Sequence, residues 1–386
     1  MVKVAIVTGD DIVGDDPPQV CAALAARGHE ATAYVRGQRG LHVGHAPAAP
    51  ASEVLPYVGD WAQALERQWS ADPPDVVHAY GWLGGLAAQL AARRQRIPTV
   101  QSFQGLAATS RSRGAGAQQG RERERIELLL ARGAAWVTGE CTADVDVLAR
   151  LRHGRARVSI LCGGVDVQRY SPVGPAAARD ARHRILCMAP NPLSGNGFDV
   201  AIRALPKIPG AELVIAETGA RDPGHDGARA QLERFAAESG VADRVRFAGT
   251  VDDDELPSLL RSADVVACTP RQPPRPTPVL QAMASGVAVV AVPVGVLADA
   301  VVDGVTGLAL PRPSPATVAA TLRNLLAQGF QCDSMGAAGR SRAVSRFSWD
   351  RIGLDVLNIY RQLASQSPDP AAAEAEATGS RSGARP

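Results

Sequence analysis

Short runs rich in valine and isoleucine alternate with longer alanine- and leucine-rich segments along the chain, and one aperiodic stretch divides the series in two. Alternation of this kind implies parallel βαβ units, because each helical segment carries the chain back over the sheet to start the next strand. In the first series the apolar runs predict strands at 2–8, 31–35, 75–79, 99–103, 134–138 and 157–161. Helices are expected at 17–27, 61–69, 82–95, 119–132 and 142–150. Pro17 and Pro18 suit the first turn of the 17–27 helix and Gly28 its C-terminal cap. The stretch GGVDVQRYSPVGPAAARDARHR is rich in glycine, proline and arginine and lacks periodicity, which places a linker near 165–183. The second series predicts strands near 184–188, 211–216, 244–248, 264–268, 287–291 and 307–310. Its helices fall near 198–206, 227–239, 253–262, 277–285, 295–302, 314–328, 333–346 and 349–364.

The organisation expected is a Rossmann-like domain over 1–172 and a second over 173–347. A helix over 348–365 packs back on the first, and a disordered tail at 366–386 is built from Ala, Glu, Ser, Gly and Pro. Two doubly wound sheets joined this way leave a cleft between the C-terminal ends of their strands, where ligands of such sheets bind. Composition agrees: 46% hydrophobic residues with only 4% aromatics suit helices packed on parallel strands better than an aromatic-rich sandwich. The six cysteines stand far apart with no CxxC pair, so they read as buried thiols in a reducing compartment, with neither a disulfide frame nor a metal site. A net charge of +2 gives no field for nucleic acid. No apolar run approaches the ~20 residues a spanning helix needs. The N-terminus begins as a strand and not as a signal peptide. The expectation is a cytoplasmic protein with no integral membrane segment.

The loop after the first strand, TGDDIVGDD, lacks GxGxxG and carries four aspartates that would repel a pyrophosphate, which argues against a dinucleotide site. More specific are DRVRFAGTVDDDELPSLLRSADVVACTP and PVLQAMASGVAVVAVPVGVLADAVVDGVTGLAL. In order and spacing these segments resemble the nucleotide-sugar-binding domain of the retaining GT-B glycosyltransferases of family 4. PPDVVHAYGWLGGLAAQLAARRQRIPTVQSF, SILCGGVDVQRYSP and AIRALPKIPGAELVIAETG extend the resemblance over roughly 1–365. It implies an α/β GT-B fold, two Rossmann-like domains facing across a cleft, and a nucleotide-diphosphate sugar as donor with no further cofactor. The acceptor is left unidentified.

The resemblance also shows where this chain departs from the pattern. The Arg and Lys that clamp the donor diphosphate in the family fall on Asn191 and Asn196. The paired glutamates fall on Pro273 and Gln281, and a histidine after the fourth strand falls on Gln104. Tyr80 stands for the second histidine of an HAH-like motif, Val296 for a glycine of a GG turn, and Asp11 and Ile12 for the GG of the first loop. A hydrogen bond to a charged group is worth roughly 1.5–3 kcal/mol, so losing both clamp cations costs about 3–6 kcal/mol. That is on the order of 10²–10⁴ in diphosphate affinity. Gln281 still offers an amide that accepts from a ribose hydroxyl, whereas Pro273 replaces no carboxylate.

Arg271 and Arg275, just ahead of a helix that Thr277 and Pro278 would open as N-cap and N1, are candidates to rebuild an anion clamp at a helix start. The alternative is a solvated Pro/Arg loop. Glu217 and Asp299 stand at a strand end and a turn facing the cleft, as catalytic carboxylates or as surface and capping groups; His78 and Trp82 read as packed residues. Two functions follow. One is a transferase, or a binder of nucleotide-sugars, with altered donor-site chemistry. The other is a catalytically inactive pseudo-glycosyltransferase that binds a sugar ligand or pairs, as a homo- or hetero-oligomer, with an active paralogue.

Overall fold

A computed structural model describes residues 1–9, 16–36, 51–109 and 117–364. Asp11 and Ile12 of the first loop and the 366–386 tail lie outside the described residues. Among the described residues, twelve strands form two sheets. The first holds β1 (Lys3–Thr8), β2 (Glu30–Val35), β3 (Val76–Tyr80), β4 (Thr99–Phe103), β5 (Trp136–Gly139) and β6 (Val158–Ile160) in the order β2-β1-β3-β4-β5-β6. The second holds β7 (His183–Ala189), β8 (Ala211–Glu217), β9 (Val245–Thr250), β10 (Val265–Cys268), β11 (Ala288–Ala291) and β12 (Gly307–Ala309) in the order β12-β11-β10-β7-β8-β9. All pairings are parallel; Val4 lies opposite Val76, and Val265 opposite both Ile185 and Ala288. Helices cover both faces, which is why central strands such as VVHAY and AVVA are buried at every residue.

The order of each sheet reverses once, between β1 and β3 in the first and between β7 and β10 in the second. At such a switch point the loops leaving two neighbouring strands diverge to opposite faces and open a crevice.

The helix Asp16–Ala25 begins with Asp16 and two prolines, whose missing N–H groups cost nothing in a first turn, and the chain turns away at Gly28 with φ +76. The helix Pro315–Leu326 starts with a reciprocal Ser314–Thr317 capping box. At Thr277–Ala284 the expected cap is corrected. Pro276 already has helical angles and takes the cap position, its carbonyl accepting from Leu280 N at 3.0 Å. Thr277 and Pro278 therefore sit inside the first turn, and no side chain caps it.

The chain crosses between the lobes twice, and the two crossings touch: Val165 N donates to the Phe347 carbonyl at 2.8 Å. After the second crossing the helix Trp349–Ala364 lies on the first sheet. Ile352, Val356, Tyr360 and Leu363, three or four residues apart, share a core with Val4, Ile6 and Val100. Tyr360 also bonds His78 Nδ1 at 2.6 Å, while His78 Nε2 meets Ser102 Oγ at 2.7 Å. Complete burial pushes the His78 imidazole down to about 3, so the ring is a neutral tie between sheet and helix. No described helix is long and apolar enough to cross a membrane.

Candidate functional site

The switch point of the second sheet is walled by the loops that follow β7 and β10. They are zipped together at Gly197, where φ is +73 and an added Cβ would lie 1.8 Å from the Thr269 carbonyl oxygen. Thr269 Oγ1 donates back to the Gly197 carbonyl at 2.8 Å. Only glycine fits this approach. On one loop the two clamp-position residues hold each other: Asn196 Nδ2 donates to the Asn191 carbonyl at 2.8 Å and to Asn191 Oδ1 at 2.9 Å. A small crevice of about 30 Å³ between the loops is lined by Asn196, Phe198, Thr269, Pro274 and Arg275.

The two arginines of the other loop part company. Arg271 turns outward, 47% exposed, onto Asp199 Oδ2 at 2.7 Å and the Ser194 carbonyl. Arg275 turns inward and spans the cleft. Its Nη1 meets Glu140 Oε1 at 2.6 Å and its Nη2 meets Asp16 Oδ2 at 2.9 Å. Gln104 Nε2 donates to the same Asp16 oxygen at 2.5 Å. These partners stand where strands of the first sheet end: Asp16 in the first turn of the helix after β1, Gln104 after β4, Glu140 after β5. The C-terminal edges of both sheets thus meet on one guanidinium.

Two carboxylates around one cation leave the cluster with a charge of −1 when both are ionised. Burial drives Glu140 up to about 7, outweighing the pull of Arg275, with Asp16 and Asp144 adding repulsion. Burial works against the charge on Arg275, but Glu140 and Asp16 more than offset it and hold its pKa above the usual value. A cavity of about 180 Å³ opens beside the cluster, lined by Gln104, Arg123, Glu140, Asp144, Pro273 and Arg275. Pro273 is there as packing: an added Cβ on Gly295 would lie 2.7 Å from its Cβ.

A second cavity, about 280 Å³, is lined by Asp16, Tyr170, Thr218, Thr277 and Gln281. Gln281 is 8% exposed and its Nε2 donates to the Tyr170 hydroxyl at 2.9 Å.

The remaining sequence candidates have other work. Glu217 makes a two-pronged ion pair with Arg229, 2.7 Å to each of Nε and Nη2. Asp299 reaches across the cleft to accept from Thr142 N at 2.5 Å, at the start of the Thr142–Leu151 helix, where a carboxylate suits the helix dipole. Tyr80 stacks on His78 at 4.5 Å, and Trp82 is buried. The structure therefore gathers Gln104, Arg275, Asn196, Thr277 and Gln281 around the cleft and leaves Arg271 outside. Sequence reasoning missed Asp16 and Glu140 as site residues. Their signal is positional, since each directly follows the C-terminal end of a strand or its loop.

Comparison with known proteins gives two family matches: Glycosyl transferases group 1 over residues 177–342 and Glycosyltransferase Family 4 over 19–169. The chain is similar to D-inositol 3-phosphate glycosyltransferase of Salinispora arenicola, 30% identical over 76% of this chain and 70% of that protein. Its similarity to the enzyme of that name from Salinispora tropica is 29% over 76% of this chain, spanning 64% of that relative's length. Among solved structures, sucrose-phosphate synthase from Thermosynechococcus elongatus shares the fold with a TM-score of 0.79 at 22% identity, over 95% of this chain and 100% of that one.

Proposed function

Because the chain belongs to the GT-B glycosyltransferases of family 4, we propose that it binds a nucleotide-activated sugar in the cleft between its lobes, with Arg275 as the cation that meets the donor diphosphate. The observation that carries this reading is the seat of Arg275: an inward-facing guanidinium at the start of the Thr277–Ala284 helix, beside the switch point and in reach of both lobes. A diphosphate entering there trades places with Glu140 and Asp16 as the partner of Arg275. The helix start adds its partial positive charge. Arg275 would then stabilise the charge that develops on the leaving diphosphate. The acceptor hydroxyl occupies the cavity walled by Gln104 and Glu140. Glu140, titrating near neutrality, is the group placed to take its proton.

Calorimetry with UDP-, GDP- and ADP-sugars tests the reading. At least one donor should bind, and Arg275→Ala should weaken it by about ten-fold or more. Unchanged affinity in that variant would remove Arg275 from the donor site. A second reading, a non-catalytic binder, is favoured by Pro273 and Gln281 standing where the family pattern has carboxylates. Transfer to any acceptor or hydrolysis of any donor in the panel eliminates it.

A further inference from the structure

A third cavity, about 460 Å³, is walled by both lobes and by the helix that returns to the first. Glu140 and Val296 line it, and both also line the cavity of about 180 Å³. The two spaces therefore adjoin at the carboxyl placed to take the acceptor's proton. The smaller one suits a single ring or a short polyol. The larger one lies in the range of cavities that enclose a whole organic ligand.

The wall of the larger cavity is apolar at Ile160 and Leu161 from the end of β6, at Val296, and at Phe347 and Ile352 beside the second crossing. Most of its charges already have partners. Asp299 accepts from Thr142 N at 2.5 Å, Arg342 donates to the carbonyls of Asp299 at 2.7 Å and Ala300 at 3.0 Å, and Asp355 pairs with Arg351 at 2.9 Å. Arg346 differs: it is exposed and makes no hydrogen bond or ion pair with a described residue. A free sugar has no hydrophobic surface to lay on such a wall and no anion for Arg346. We propose that the acceptor is an amphipathic hydroxy acid. Its hydroxyl lies at Glu140, its apolar body rests on Ile160, Leu161 and Phe347, and its acidic group meets Arg346. The proposal rests on the reading that a donor meets Arg275 and that Glu140 takes the acceptor's proton. In the transfer the bond from the anomeric carbon to the diphosphate oxygen breaks, and its electron pair leaves on the diphosphate. The acceptor oxygen bonds that carbon, and its proton passes to the Glu140 carboxylate.

The test is calorimetry on the full chain with ω-hydroxydodecanoate, dodecanoate and glucose, and with UDP, GDP and ADP. The hydroxy acid should bind more tightly than glucose. It should also bind about three-fold or more tighter than dodecanoate, which has no hydroxyl to offer Glu140. Arg346→Ala disturbs no printed contact of the fold and should weaken the hydroxy acid by about two- to five-fold. Ile160 is 47% exposed, so Ile160→Gln should fold and weaken it by about three-fold or more. Neither change should alter nucleotide binding. Nucleotide binding that depends on Arg275, together with no binding of the hydroxy acid, equal affinity for dodecanoate, or unchanged affinity in both variants, overturns the proposal and leaves the donor reading intact. Absence of binding by all three nucleotides overturns the donor reading, and this proposal with it.

Discussion

Glu140→Gln tests whether burial or the ion pair controls the centre of the cleft. The Glu140 carboxyl is raised from 4.5 to about 7 on folding, with burial as the largest cause and Arg275 opposing it. Below pH 4.5 both folded and unfolded chains carry the proton, and this group leaves stability unchanged. Between 4.5 and about 7 the folded chain binds more protons than the unfolded one, so stability falls as pH rises, and above 7 the full cost remains. At roughly 1.4 kcal/mol per pKa unit the cost is about 3 kcal/mol. Glu140 is only 7% exposed, so solvent does little to screen it. Glutamine keeps the shape and an oxygen for Arg275 but has no proton to lose, and it leaves Arg275 and Asp16 as a neutral pair. The variant should therefore gain about 2–3 kcal/mol on the parent between pH 5 and pH 8. Urea unfolding of both proteins at pH 5, 6, 7 and 8 measures this directly. Two pH profiles parallel within about 0.5 kcal/mol would show that Arg275 cancels the burial cost, and the reasoning would fail.

Arg275→Ala leaves Asp16 and Glu140 facing each other without a cation; thermal unfolding should show a loss of about 3 kcal/mol at pH 8 and a distinctly smaller one at pH 5, where Glu140 takes up a proton. Tyr360→Phe strands His78 Nδ1 in the core and should cost about 1–2 kcal/mol in denaturant unfolding, whereas a change under about 0.3 kcal/mol would mean the tie carries no weight. Gly197→Ala should destabilise by more than about 2 kcal/mol, because its Cβ meets the Thr269 carbonyl at a positive φ; Gly195→Ala, with open space around it, should stay within about 1 kcal/mol, and equal effects at the two sites would refute the zipped-loop account.

Much of the fold is legible in the sequence because its signals are local. The period of apolar residues places β3 or the helix Trp82–Gln95 without reference to any distant residue. Local signals fail where one residue's backbone decides, as at Pro276, whose helical angles took the cap position from Thr277. The family resemblance likewise marks which positions handle donor in proteins of this pattern, and Asn191, Asn196, Gln104, Pro273 and Gln281 are read from order and spacing alone. What those positions touch is a different matter. Glu217 and Asp299 look alike in the sequence, as carboxylates near the cleft. Folding gives the first to Arg229 and the second to a helix start in the other lobe.

Arg275 divides the two kinds of knowledge most sharply. Its place before a helix, in a loop rich in proline and arginine, was determined by the sequence, and so were the two sheets and the cleft between them. That it faces inward while Arg271 faces out, and that it does so onto Asp16 and Glu140, was decided only by the tertiary structure. These partners lie 259 and 135 residues away and reach it because two switch points are set edge to edge. Periodicity records which face of an element is buried. It carries no record of which charges a second domain will bring to that face, and in a buried site those charges set the chemistry.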